Sequence, residues 1–406
     1  MKVRIGLDIS TVLNHGNDIG AGRYIFNLLK NLFIIDRADT FVLTARYVTD
    51  EYFALIEEIK CAYVNTAPNI TGFKNLEFKL FKTTQKKLDI WNRFGFPPIE
   101  LQGFKADILH CPDFIIPPTM NKNLVLTIND LAFIRFPQFN FEWFVKKYTK
   151  EVKRNAHAAK RIIAISRSTK NDIVEFFNIN ENKIRVTHLA ADNIFRKLEP
   201  GEIDNNIYLK FGIPGKYILS VGTIEPRKNY VSLIRAFNMV KSRLKHTDTD
   251  NPHFDYSLVI VGRTGWKSEA AYEEYSSSPY KDNIIFAGRI TDNELVQIYN
   301  RAELFVYPSI FEGFGLPVVE AMQCGLPVCA SNTSSIPELV DDKKMLFNPA
   351  DEEDIAAKVL NILKNENIKK ELSIKSIINS RRFTWKKTAE QTLGIYREVS
   401  GPALSR

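Results

Sequence analysis

A chain of 406 residues with 45% hydrophobic and 25% charged residues holds apolar material for two or three domain-sized cores, which excludes a disordered or fibrous protein. Lys and Arg outnumber Asp and Glu by 55 to 47, a net charge of +8 that suits an anionic ligand or membrane surface. No basic run reaches nucleic-acid-binding density, so nucleic acid is not expected as a partner.

Residues 3–8 read as a first strand, and residues 10–22, with Gly16, Gly20 and Gly22, as a loop feeding a helix over 23–33. The glycines lack the full spacing of a dinucleotide fingerprint, and the second strand, 41–45, ends in Arg46 where such a fold keeps an acid, which speaks against NAD. Residues 71–98 mix Lys74, Lys79, Lys82, Lys86, Lys87 and Arg93 with Phe73, Phe78, Phe81, Trp91, Phe94 and Phe96. Leu76, Leu80, Leu88 and Trp91 fall near one face at helical spacing, so this stretch reads either as a basic amphipathic helix on anionic lipid or as an ordinary helix with a core face.

Two short strands follow, 107–112 with His110 and 123–129 with Asn129, each closing on a polar residue where open parallel sheets place ligands. His110 alone reads equally as a structural hydrogen-bonder or a site residue. Segments 159–166 and 183–188 close the first half, and the polar stretch 196–206, with Pro200-Gly201, reads as a linker. Strand and helix alternation then begins again, with strands at 217–221, 257–261, 284–287, 304–307 and 327–330. Thr291 and Glu294 have capping-box spacing, and residues 385–399 read as a last helix.

Within the second half, the loop Gly222-Thr-Ile-Glu225-Pro226-Arg227-Lys228-Asn229 sets two cations at a sheet edge, with Asn229 placed to cap the next helix. Asp248-Thr-Asp250 has the spacing of a metal-binding Asp pair, but no strand precedes it to fix the geometry, and it reads as a solvated loop. Cys61, Cys111, Cys324 and Cys329 lack the paired spacing of zinc or redox motifs, which fits a reducing compartment. With no apolar run of signal-peptide or membrane-spanning length, a cytoplasmic protein is expected, peripheral at most on the inner face of a membrane.

The most specific stretch runs from Phe305 to Gly325. A short strand closed by Pro308 leads into a loop with two glycines, and a helix starts at Pro317 and ends at Gly325. Glu312-Gly-Phe-Gly-Leu-Pro-Val-Val-Glu320 sets one carboxylate on the loop and another inside the helix, beside a helix start that favours an anion such as a diphosphate.

This phrase resembles the signature of retaining nucleotide-sugar glycosyltransferases of the fourth sequence family, in which two glutamates are separated by seven residues. The N-terminal half is nearest in look to bacterial mannosyltransferase-like members. The resemblance covers nearly the whole chain and implies an α/β GT-B fold, two doubly wound Rossmann-like domains facing a central cleft. An acceptor-side domain is expected over 1–198 and a nucleotide-sugar domain over 199–385, with 386–406 crossing back to the first. The resemblance further implies that Arg227 and Lys228 stabilise a departing diphosphate, that Glu312 meets the donor sugar and that Glu320 holds the ribose. Gly313, Phe314, Gly315 and Leu316 would lie along the donor, Arg289 and Ile290 would border the base, and Gly20 and Gly22 would face the diphosphate. Asn129 stands where relatives carry a histidine, so a titratable group is missing beside the donor sugar.

The activity implied is metal-independent transfer of a hexose, with a lean to mannose from GDP-mannose, onto a glycan or lipid-linked acceptor, with no cofactor beyond the donor. A nucleotide-sugar epimerase or hydrolase of the same fold, and a non-catalytic binding member, are the alternatives.

Overall fold

The computed structural model describes residues 2–17, 20–65, 75–213, 215–247 and 255–401. The chain divides into two compact units, Met1–Leu189 with Thr384–Arg406, and Ala190–Phe383.

The first unit is built on a seven-stranded parallel sheet of β1 (Arg4–Asp8), β2 (Thr40–Tyr47), β3 (Leu76–Lys82), β4 (Ile108–Cys111), β5 (Leu124–Ile128), β6 (Arg161–Ala164) and β7 (Ile184–Val186), in the order β3-β2-β1-β4-β5-β6-β7. Apolar runs such as Ile108 to Cys111 and Leu124 to Ile128 are buried along their whole length, the pattern of a sheet covered on both faces. The order reverses between β1 and β4, which opens a crevice at the carboxyl ends of those two strands.

Two sequence expectations need correction here. The loop expected over 10–22 contains a short helix, Ser10–His15, and the following helix starts at Gly20 and runs to Ile35. Gly22 is forced by packing, since a Cβ there would sit 2.0 Å from the Gly16 carbonyl oxygen, whereas a Cβ at Gly20 meets nothing. The stretch 71–98 is not one helix: residues 71–74 lie outside the described residues, Leu76–Lys82 is strand β3, and only Gln85–Phe94 is helical. Alternation in Leu-Glu-Phe-Lys-Leu-Phe-Lys is a period of two, and pairing along β2 decides the matter.

The second unit carries a six-stranded parallel sheet of β8 (Lys216–Val221), β9 (Tyr256–Val261), β10 (Ile284–Gly288), β11 (Leu304–Tyr307), β12 (Val328–Ser331) and β13 (Leu346–Phe347), in the order β10-β9-β8-β11-β12-β13. Its reversal falls between β8 and β11. Residues 196–206, read as a linker, belong to this unit: the Leu198 amide donates to Asn300 Oδ1 at 2.8 Å, and Gln297 Nε2 donates to the Glu202 carbonyl at 3.0 Å.

The last helix, Trp385–Ser400, packs on the helix Gly20–Ile35 of the first unit. Tyr396, Thr392 and Val399 are buried, and Glu398 bridges Arg161 and Arg185. His110 is a structural hydrogen-bonder here: Nδ1 meets the Tyr396 hydroxyl at 2.7 Å and Nε2 meets Thr127 Oγ1 at 2.9 Å, with Tyr24 completing the chain. Burial holds its imidazole neutral, pushing the pKa down to about 3. Among the described residues no helix is long and apolar enough to cross a membrane.

Candidate active site

At the reversal point of the second sheet, the loops that follow β8 and β11 meet. Gly222 leaves β8 with its α-carbon against the Lys228 side chain, where a Cβ would lie 3.2 Å from Cε, so the glycine seats the lysine. The chain then makes a short turn over Pro226–Lys228. Asn229 does not cap the next helix with its side chain as expected. It takes a left-handed conformation (φ 59°), and its Nδ2 donates to the carbonyls of Pro308, at 3.2 Å, and Pro349, at 2.8 Å. That amide fastens the two loops together, which a capping role would not do.

Four charged side chains converge as a result. Lys228 Nζ donates to Glu312 Oε1 at 2.6 Å and to the Tyr307 hydroxyl at 2.7 Å. Arg227 Nη1 donates to Glu312 Oε2 at 2.8 Å and to the Phe311 carbonyl at 2.8 Å, while its Nη2 reaches Glu225 Oε1 at 2.7 Å. Glu312 is thus a buried carboxylate clamped between two cations, not a solvated group on a flexed loop. Burial pushes its pKa up, but the charges of Arg227 and Lys228 outweigh that and hold it at about 2. Burial, joined by the like charge of Arg227, lowers the pKa of Lys228 against the opposing pull of Glu312.

The glutamate loop itself is pinned from below. Ser334 Oγ accepts from the Glu312 amide at 2.9 Å, and Ser335 Oγ donates to the carbonyls of Glu312 and Phe314 at 2.9 and 2.8 Å. Gly313 and Phe314 are buried in this loop, and Gly315, at φ 109°, precedes the helix Leu316–Gln323 with no side-chain cap on its N-terminus. A helix start without a cap, beside two cations, is a place where an anion is stabilised. Glu320 faces the interior of the unit, 3% exposed, with the Tyr299 hydroxyl donating to its Oε2 at 3.1 Å.

Arg289, exposed, and Ile290 follow β10, next to the helix Asp292–Arg301, whose start carries the capping box of Thr291 and Glu294. Glu225, Tyr307, Ser334 and Ser335 were not singled out from sequence. Glu225 alone had a local signal, two residues before Arg227 in the same turn, whereas the serines come from the far side of β12.

The first unit holds the other expected residues. Asn129 follows β5 and donates to Asp113 Oδ1 at 3.5 Å, and its carbonyl accepts from Thr169 Oγ1 at 3.1 Å. Gly20 and Gly22 lie in the helix that follows the loop after β1. The same unit contains a cavity of about 900 Å³ at the carboxyl ends of β1, β2 and β4. The Asp248 pair lies outside the described residues.

Two family models match, Glycosyltransferase Family 4 over residues 18–193 and Glycosyl transferases group 1 over residues 210–380. The chain is 25% identical over 382 residues to the O-antigen chain mannosyltransferase B of Escherichia coli, covering 93% of this chain and 96% of that one. It is 30% identical over 272 residues to the serotype-specific mannosyltransferase WbdA of Escherichia coli, 66% of this chain but 31% of that longer protein. Its fold is similar to that of the Anabaena protein HepE, solved with UDP and glucose, at a TM-score of 0.70 and 15% identity over 97% of this chain and 98% of the other. With a family 4 domain followed by a group 1 domain, each on its own Rossmann-like sheet, the chain belongs to the group 1 and family 4 glycosyltransferases of the GT-B fold.

Proposed function

We propose that the protein is a retaining, metal-independent mannosyltransferase, taking mannose from GDP-mannose to a hydroxyl of a glycan or lipid-linked acceptor. The observation that carries the reading is the buried cluster of Arg227, Lys228 and Glu312 beside an uncapped helix start. Arg227 offers a planar fork to phosphate oxygens and Lys228 a point charge, so two neighbouring cations supply what a divalent ion supplies elsewhere. As the diphosphate takes negative charge, both can turn from Glu312 toward it, and the released carboxylate is left to receive the donor sugar's hydroxyls. The departing phosphate oxygen then accepts the acceptor's proton on the same face, which retains configuration. Glu320 is assigned the ribose. The mannosyl and glycan parts of the reading lean on the similarity to the O-antigen enzyme.

A cytoplasmic, peripheral site of action is part of the same reading. The helix Gln85–Phe94 buries Trp91 but exposes Ile90 and Phe94, followed by Phe96, among Lys86, Lys87 and Arg93, a mixture of apolar and basic groups that suits anionic lipid.

Diphosphate release from a panel of nucleotide sugars, with and without acceptors and in the presence of EDTA, tests the whole. Acceptor-dependent release from GDP-mannose that survives the chelator is expected. Glu312→Ala should reduce that turnover by on the order of a hundredfold without weakening nucleoside diphosphate binding, since it removes a carboxylate that competes for the two cations. Release without acceptor would favour a hydrolase, conversion of a donor to an isomeric nucleotide sugar without release an epimerase, and neither change in any donor a binding protein.

A further inference from the structure

The donor chemistry above leaves the cavity of the first unit without an occupant. It lies where the strand order reverses between β1 and β4, and its volume of about 900 Å³ is that of a full ligand site, near the upper end of the roughly 300–1,000 Å³ typical of them. Its rim carries Arg93, Lys147, Lys150 and Arg154 with Asp89 and Glu151, and its polar lining includes two further, unlike parts at the strand ends.

One part is a pair of carboxyls at neighbouring strand ends. Asp8, the last residue of β1, accepts from the Ser10 amide at 2.8 Å. Asp113, just past β4, accepts from Thr11 Oγ1 at 3.0 Å, from the Phe114 amide at 2.9 Å and from Asn129 Nδ2 at 3.5 Å. Burial pushes both pKa values up, Asp8 to about 6 with a smaller push from the charge of Asp113. Carboxylates held this way are hydrogen-bond acceptors in search of hydroxyl donors.

The other part is Arg46, near the end of β2, at the position where the sequence lacks a dinucleotide fold's acid. Its guanidinium lies 3.8 Å from the centroid of the Trp91 ring, and Nη2 donates to Gln102 Oε1. Nε is buried with no partner, and among the described residues no carboxylate pairs with this cation. A partly desolvated guanidinium without counter-charge is costly in isolation, and the stack on Trp91 holds its donor fork in a fixed plane. A ligand that brings an anion resolves that imbalance.

We propose that this cavity takes an acceptor saccharide bearing an anionic substituent, a phosphate or a carboxylate, with the anion on Arg46 and sugar hydroxyls on Asp8 and Asp113. The proposal rests on the transfer reading, because it is the second substrate that must bring a hydroxyl.

The test is binding to the full chain with no donor present, using mannose, mannose 6-phosphate and mannuronate as probes in calorimetric or ligand-observed NMR titrations. Both anionic sugars should bind about tenfold or more tighter than mannose, and which of the two binds tighter distinguishes phosphate from carboxylate. Arg46→Gln should abolish that preference, and Arg46→Lys should restore part of it. Nucleoside diphosphate affinity, assigned to the second unit, should be unchanged in both, and retention of the first unit's unfolding transition in calorimetry reports that the variants are folded. Equal binding of the three probes by the wild type, or an unaltered preference in Arg46→Gln, overturns the proposal. The wild-type panel decides even if a variant fails to fold. Since no donor is involved, a chain that releases no diphosphate from any nucleotide sugar would sink the transfer reading and leave this result standing.

Discussion

Asp8, at the end of β1, and Glu312, in the loop after β11, are both carboxylates largely withdrawn from water, and they respond to pH in opposite senses. Glu312 is held at about 2 by its two cations, below its usual value of 4.5, so its contribution to stability is complete above pH 4.5 and is lost as pH falls toward 2. Asp8 is raised from 3.8 to about 6, so the folded state holds its proton more tightly than the unfolded chain. The cost of burying its charge is absent below about pH 4, grows across the window to pH 6 and is complete above it. Asp8→Asn removes that cost, and a thermal melt should show the variant's first unit several degrees more stable than wild type at pH 8 and little different at pH 4. A destabilised variant at pH 8 would mean that the carboxylate is satisfied in a way its surroundings do not suggest. Sequence reading reached Arg227, Lys228 and Glu312 because a strand, a turn and a glycine loop each have local signals. It did not reach their neutralisation by one another, or Asp8 and Asp113, because which strand ends become neighbours is a property of sheet order.

Elements were legible where their periodicity was long and clean and were misread where it was short. The strands with continuous apolar runs were placed to within a residue or two, while Leu76–Lys82, a partly buried edge strand with lysines on it, was taken for part of a helix. The short edge strand Leu346–Phe347 went unseen, since two residues carry no period. The two glycines at the start of the helix Gly20–Ile35 look equivalent in sequence, and the packing separates them. Gly22→Ala drives a methyl to 2.0 Å from the Gly16 carbonyl oxygen, in a backbone segment that cannot yield as a flexible side chain would. It should cost on the order of 2–4 kcal/mol in chemical denaturation, whereas Gly20→Ala, with open space around it, should be neutral or slightly stabilising through the better helix propensity of alanine. Equal effects would show that the glycines act through something other than this contact.

Across the whole molecule, the division into a first unit that includes Thr384–Arg406 and a second that is continuous from Ala190 to Phe383 makes the last helix part of the first unit's core. Removing residues 384–406 should uncover the Tyr24, Thr127 and His110 side that Tyr396 covers and leave Arg161 and Arg185 without Glu398. The expected outcome is loss of the first unit's unfolding transition in calorimetry, with the second unit's transition retained. Both transitions surviving would show the helix to be dispensable. The same connectivity sets an order on the ribosome. The continuous unit can close as soon as its own stretch has emerged, but the unit begun first must wait for the whole of Ala190–Phe383 to be made before its final helix arrives, a delay on the order of ten seconds or more at ordinary elongation rates. Until then its sheet has one face incomplete, and the nascent chain is a natural client for a chaperone that shields apolar surface during translation.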